Sequence, residues 1–244
     1  MYNSFYDIGY QIFDNVLTRK EVDFYKKSLL EIYDQQKEEI GSSNLRSIGE
    51  ENIVRSPFLY DASFIKLFYN DFVCQIVEQI LGKYAILSLQ NAILLKSKKK
   101  HHQSFFHRDL IHQNFTSSDP LAINIYYCLD DYGEKNGGTV FIPKSQKSKN
   151  IVNMEGQVTP EVKAGSVILF DSMLYHKAGN NLSDRDRFGI NHMITLPFIK
   201  QQIRYPSTLS PFQDQGLNRL LGFESKEYLD VKDFRNYRLN RKEV

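Results

Sequence analysis

Apolar residues in the first eighty positions recur at helical spacing, whereas beyond Tyr84 they gather into short runs. Thr18, followed three positions later by Glu21, has the form of a capping box. Val22, Tyr25, Leu29, Leu30 and Tyr33 then fall on one face, so the pattern predicts an amphipathic helix from Arg19 to Glu39. Residues Gly41 to Ser56 include Gly41, Ser42, Ser43, Asn44 and Gly49, show no periodicity, and read as a loop. Helical spacing returns from Ala62 to Leu81 and stops at Gly82. After Tyr84 the apolar runs are Ala85 to Leu89, Ala92 to Leu95, Leu121 to Leu129, Thr139 to Ile142, Ser166 to Phe170 and Phe188 to Leu196. Turn clusters at Ser97 to His102, Asp130 to Gly138, Pro143 to Asn150 and Gly179 to Asp186 separate them. Short strands punctuated in this way suggest a sandwich or barrel and not a parallel sheet with crossover helices. The chain reads as a single domain, with residues 1–83 a mostly helical layer, 84–199 a β core and 200–244 a covering tail.

Composition narrows the class without naming a function. The 244 residues are 41% hydrophobic and 25% charged, which suits a globular domain with one sizeable core. A formal net charge of +2 gives no electrostatic reason to expect nucleic acid or an anionic membrane as a partner. The apolar runs are far shorter than the roughly 18 residues of a membrane span. Met1 to Gly9 lacks a basic stretch followed by an apolar segment, so no secretory signal is expected. Cys74 and Cys128 make no disulfide framework, and a reducing, cytoplasmic setting is the expectation.

The candidate chemistry lies in the strand-rich region. Phe105-Phe106-His107-Arg108-Asp109 puts a histidine and a carboxylate two apart, and in extended chain such residues project to one side. His176, just beyond the apolar run Val167 to Phe170, offers a third ligand. Two histidines and a carboxylate on one face of a metal leave open positions, the arrangement of non-haem Fe(II) oxygenases. Arg187 opens the next apolar strand, and a bidentate guanidinium suits a dicarboxylate cosubstrate. A His-x-Asp pair alone is commonly a surface accident, and His176 or Arg187 alone has ordinary structural readings; it is their joint spacing that carries weight. His101 and His102 fall in a lysine-rich loop with Lys98 to Lys100, and His112 follows the ligand segment, so surface or supporting roles are expected there. His192 alternates with Ile190 and Ile194, which leaves both substrate contact and a satisfied core histidine open. Phe105-Phe106 reads as packing.

These residues stand in an order that resembles the phytanoyl-CoA dioxygenase family of Fe(II)- and 2-oxoglutarate-dependent oxygenases, from about Asp7 to about Pro197. The resemblance runs through Gly9-Tyr10, Asn15 to Thr18, Gln90, Lys96, His107-Arg108-Asp109, Leu129-Asp130-Asp131 and Asn136-Gly137-Gly138-Thr139. It continues with Ile142 to Gln146, Ala164 to Ser172, His176, Gly179-Asn180, Ser183-Asp184-Arg185 and Arg187. It implies a double-stranded β-helix, a jelly-roll or cupin-like barrel, under a layer of helices, with iron inside one end. It further implies that His107, Asp109 and His176 bind Fe(II) and that Arg187 holds the distal carboxylate of 2-oxoglutarate, with Arg185 the competing arginine. Gln90 and Asn124 are candidates for binding cosubstrate or substrate through their amides. With O₂, such an enzyme hydroxylates an unactivated C–H bond of a small molecule, such as a secondary metabolite, a sugar or an amino-acid derivative, releasing succinate and CO₂. Asp109 occupies the position that halogenases of this superfamily leave for chloride, which favours hydroxylation. The chain departs from the pattern at Lys144-Ser145-Gln146, where Gly-Ser-His is frequent, and near Tyr126, where a tryptophan is frequent. Two other classes remain open: a catalytically silent jelly-roll ligand-binding module, and a non-oxidative metalloenzyme on the same barrel.

Overall fold

A computed structural model describes residues 2–98, 104–110, 116–149, 155–225 and 227–240; His101, His102 and His112 lie outside the described residues. A short helix α1 (Asn3–Ile8) leads into strand β1 (Tyr10–Phe13) and then helix α2 (Arg19–Ile40). The capping box forms as the sequence predicts. Thr18 Oγ1 accepts from the Glu21 amide at 3.3 Å, and the Glu21 carboxylate accepts from the Thr18 amide at 2.7 Å. Helix α2 buries Val22, Tyr25, Leu29 and Ile32, while Leu30 is exposed. The expected loop over Gly41 to Ser56 instead holds helix α3 (Ser42–Ser47) and strand β2 (Ile53–Arg55). Both are too short to show a period, and β2 exists because a neighbouring strand pairs with it.

The expected helix over Ala62 to Leu81 is divided. A 3-10 turn (Ala62–Leu67) ends before Asn70. The Asn70 side chain accepts from the Val73 amide at 3.0 Å and caps a new helix, α4 (Asp71–Ile80). Conversely, the two runs Ala85 to Leu89 and Ala92 to Leu95 form one strand, β3 (Ile86–Leu95), with a bulge between Leu87 and Leu89. Polar Gln90 and Asn91 interrupt the hydrophobicity and not the strand. The remaining elements are β4 (Ala122–Cys128), β5 (Thr139–Phe141), β6 (Val167–Asp171), β7 (His176–Ala178), β8 (Arg187–Thr195), α5 (Gln215–Leu220) and α6 (Val231–Asn240).

Six strands make one antiparallel sheet in the order β1-β6-β4-β8-β3-β2, and β5 pairs with β7 in a second. Single bridges extend the smaller sheet on both sides, His107 with His176 and Phe141 with Val158. The architecture is mainly β with flanking helices and a jelly-roll arrangement, but the large sheet is open, with β1 and β2 as its edges. Residues 1–83 therefore contribute two strands to the core besides their helices.

One face of the large sheet packs against the helices: Leu87, Ala92, Leu94, Ile123, Ile125, Tyr127, Ile190 and Ile194 join Tyr25, Leu29, Val73 and Ile76 in a single buried cluster. The other face meets the small sheet, where Phe141 packs with Tyr126, Ile168 and Phe170. Burial on both faces explains why the strands read as continuous apolar runs and not as alternation. No helix among the described residues is long and apolar enough to cross a membrane.

Candidate metal centre

Between the two sheets lies a cavity of about 210 Å³. His107, Asp109 and His176 line one end of it. Backbone pairing brings them together: the amide of each histidine donates to the carbonyl of the other, at 2.9 and 3.0 Å, and the Asp109 amide donates to the Ser172 carbonyl at 3.0 Å. Asp109 Oδ1 lies 3.6 Å from both His107 Nε2 and His176 Nε2. One potential ligand atom from each of the three residues falls within 4.8 Å of the others.

The hydrogen bonds behind the rings fix what the rings offer. His107 Nδ1 is 2.9 Å from the Phe105 carbonyl and His176 Nδ1 is 2.9 Å from the Leu174 carbonyl. A carbonyl accepts only, so both Nδ1 atoms carry the proton, and both Nε2 lone pairs face the centre. Burial alone would raise the pKa of Asp109, but His176 and His107 beside it pull the net value down, so the carboxylate is ionised. Burial lowers the pKa of His176. At His107 burial acts the same way, but the negative charge of Asp109 beside it and the Phe105 carbonyl outweigh it and the net shift is upward. Asp109 Oδ2 is buried without a hydrogen-bond partner, as an atom that completes a metal's coordination would be.

Arg187 lines the same cavity and is 3% exposed. Its guanidinium lies 3.9 Å from the centre of the Tyr132 ring, and the Tyr126 hydroxyl also acts to raise its pKa. The two hydroxyls are 2.9 Å apart, and burial pushes both phenols to higher pKa, so neither supplies a negative charge. Among the described residues no carboxylate pairs with Arg187, and its Nε and Nη1 have no hydrogen-bond partner. Gly189 makes the arrangement possible, since a Cβ there would collide with the hydroxyls of Tyr132 and Tyr126. Arg185, the competing arginine, lies in the Ser183–Arg185 turn outside the cavity lining.

Gln90 and Asn124 do not face the cavity as the sequence reading expected. Gln90 is on the helix side of β3, where Oε1 accepts from the Phe58 amide at 2.9 Å and Nε2 donates to the Phe64 carbonyl at 3.1 Å. Its amide is also 3.0 Å from His192 Nε2. His192 is thus a satisfied core histidine, and burial drives its pKa down to about 4, which keeps it neutral. Asn124 is fully buried: it donates to Ser172 Oγ at 2.8 Å, accepts from Asn191 at 2.8 Å, and helps hold the pKa of Asp109 down. It is absent from the cavity lining. Asn91, Asn191, Tyr126 and Gly189 went unmarked as site residues, although the last two and Asn191 could be found by counting every second position from Arg187 and reading across the sheet.

Residues 5–189 match the family model described as phytanoyl-CoA dioxygenase. The chain belongs to the phytanoyl-CoA dioxygenase family. The protein named "Uncharacterized protein Rv1501" of Mycobacterium tuberculosis is 30% identical over 248 residues, covering 95% of this chain and 91% of that one. "Dioxygenase af480" of Aspergillus fumigatus is 27% identical over 123 residues, 46% of this chain and 39% of that protein. Among solved structures, EctD from S. alaskensis with 2-oxoglutarate and 5-hydroxyectoine aligns with a TM-score of 0.65 at 18% identity, over 80% of this chain and 74% of that one. AviO1 from Streptomyces viridochromogenes Tue57 aligns at 0.63 and 17% identity, over 81% and 94%. This member of the phytanoyl-CoA dioxygenase family is a non-haem iron- and 2-oxoglutarate-dependent dioxygenase, and its His-Asp-His cluster fits the metal.

Proposed function

We propose that His107 Nε2, Asp109 and His176 Nε2 hold Fe(II), that Arg187 holds the distal carboxylate of 2-oxoglutarate, and that the enzyme hydroxylates an unactivated C–H bond of a small molecule with release of succinate and CO₂. The observation that carries this reading is the pairing of the His-Asp-His cluster with a buried, carboxylate-free arginine in one cavity. A guanidinium withdrawn from water without a counter-ion is costly, and a dicarboxylate whose other end chelates the metal removes that cost. Bound together, iron and 2-oxoglutarate would activate O₂, the oxidant, one oxygen atom of which would go to succinate and the other to the substrate as its hydroxyl. The protein supplies position and dryness. The Ser172 carbonyl fixes the Asp109 backbone, the Phe105 and Leu174 carbonyls fix the two rings, and Leu89, Ile93, Phe170 and Met193 wall the cavity against water.

The test is anaerobic addition of 2-oxoglutarate to the Fe(II) protein, read by the visible metal-to-ligand charge-transfer band. The parent is expected to show the band and His107→Ala to lack it. Arg187→Ala is expected to keep iron and to weaken 2-oxoglutarate at least about tenfold, since a charged hydrogen bond contributes roughly 1.5–3 kcal/mol. A band of parental affinity in Arg187→Ala would overturn the assignment of that residue, and no band in iron-loaded parent would overturn the function.

A further inference from the structure

The cavity floor carries a polar row that neither the metal nor Arg187 accounts for. Register places Arg55 opposite Asn91, Asn91 opposite Asn191, and Asn191 opposite Tyr126, and all four line the cavity. The flanking rows are apolar, with Leu89 and Met193 on one side and Ile53, Ile93 and Gly189 on the other. Asn91 and Asn191 each bury an Oδ1 that has no hydrogen-bond partner.

Which end of an amide is left free is decided by its neighbours. Asn124 turns its NH₂ toward Ser172, donating to Oγ at 2.8 Å. The Asn124 oxygen accepts from Asn191 Nδ2 at 2.8 Å, which leaves Asn191, a residue of the cavity wall, with its own oxygen unpaired. 2-Oxoglutarate at neutral pH has two carboxylates and a keto group, all acceptors. An amide oxygen cannot hold it, so the unpaired oxygens are there for donors on the other molecule in the site.

Charge narrows that molecule further. Asp109 is committed to the metal, Arg187 to the cosubstrate, and Arg55 to Glu50, which accepts from Arg55 Nε at 3.1 Å and from its Nη2. Lys177 holds its ammonium 4.4 Å from the centre of the Phe106 ring. Among the described residues no carboxylate remains to balance an ammonium, and no unpaired cation lies in the row. An asparagine amide carries an acceptor oxygen and a donor nitrogen, and a row of two suits a group that both gives and takes a hydrogen bond, which a hydroxyl does. Building on the function proposed above, we infer that Asn91 and Asn191 recognise the hydroxyl groups of a neutral, hydroxyl-bearing substrate and set the enzyme's specificity.

The experiment uses the full chain loaded with Zn(II), which is diamagnetic, and 2-oxoglutarate, with ligand binding read by saturation-transfer NMR. The probes are myo-inositol, methyl α-glucoside and ribitol, their O-methylated counterparts, putrescine, and glycerol 2-phosphate. Binding of a hydroxyl-bearing probe is expected, with loss on methylation and no signal from the charged probes. Asn191→Leu and Asn91→Leu should each weaken it at least about tenfold, because the site's buried acceptors would then be gone. Should Asn191→Leu fail to fold, Asn91→Leu, which stands outside the hydrogen-bonded chain from Asn191 through Asn124 to Ser172, decides the matter. Preference for the methylated or charged probes, parental affinity in the variants, or no polyol held at millimolar concentration would overturn the inference. Absence of the Fe(II)–2-oxoglutarate band in the parent would instead overturn the function beneath it, so the two failures are told apart.

Discussion

Asp171 ends β6 with its carboxyl buried, one oxygen accepting from the Met173 amide at 2.8 Å. Burial pushes its pKa up to about 6, against an ordinary value of 3.8. The folded state thus holds a proton that the unfolded state gives up earlier. The stability this confers is fully present below about 3.8 and is lost as pH rises through about 6, amounting to about 3 kcal/mol by neutral pH. Asp171→Asn keeps an acceptor for Met173 and never ionises. In metal-free protein its urea midpoint is expected to exceed the parent's at pH 7, with the gap closing as pH falls from about 6 toward about 4. A gap that does not change with pH would sink this account. Residue-scale legibility was uneven for a related reason, that burial and facing depend on partners. His107, Asp109, His176 and Arg187 could be picked out because their chemical types and order are distinctive, and they do line one cavity. Gln90, Asn124 and His192 could not be placed, because which side of a strand faces the cavity is set by register across the sheet. The bulge in β3 resets even the alternation along its own strand.

Elements meet at Arg108, the residue between two of the proposed ligands. It is 3% exposed, donates to the Ser145 carbonyl at 2.8 Å and to the Ser148 carbonyl, and lies 4.1 Å over the Tyr175 ring. One side chain therefore ties the His107–Asp109 segment to the 3-10 turn Ser145–Lys147 and to the residue preceding His176. A lysine cannot hold two carbonyls in a fixed fork while lying flat on a ring. Arg108→Lys is expected to weaken Fe(II) roughly ten- to a hundredfold, the range typical of supporting residues around a metal, measured by chelator competition. Parental iron affinity in a folded variant would refute that role. The elements themselves were legible where they were long or fully apolar, as with α2, β4, β6 and β8. The 3-residue β2 and 6-residue α3 carry no period, and the cap at Asn70 that splits residues 62–81 needs only one polar side chain in an otherwise periodic stretch.

The whole molecule is organised around a sheet whose two faces do different work. The face under α2 and α4 is packed with apolar side chains and holds the strands in register, and that register delivers Arg55, Asn91, Asn191, Tyr126 and Arg187 to the opposite face. Jelly-roll architecture was legible as a succession of short apolar runs, while the edge strands β1 and β2 were not, because each draws its identity from a partner more than thirty residues away. The covering tail divides in the same terms. Helix α5 buries Leu217 and Leu220 in the helical cluster, whereas α6 buries no side chain. Leu229 is 92% and Leu239 83% exposed, and Phe234 and Tyr237 meet Tyr228 with ring centres 5.1 and 5.2 Å apart. A helix attached so lightly contributes little to the cooperative unit. Removing residues 229–244 is therefore expected to shift the melting temperature by less than about 2 °C, the scale of surface changes worth about 0.5 kcal/mol in a domain of this size. Affinity for 2-oxoglutarate should be unchanged, since no residue of α6 lines the cavity. A fall of more than about 5 °C would show that α6 docks on the body of the protein in solution, and a loss of cosubstrate binding would place it over the cavity mouth.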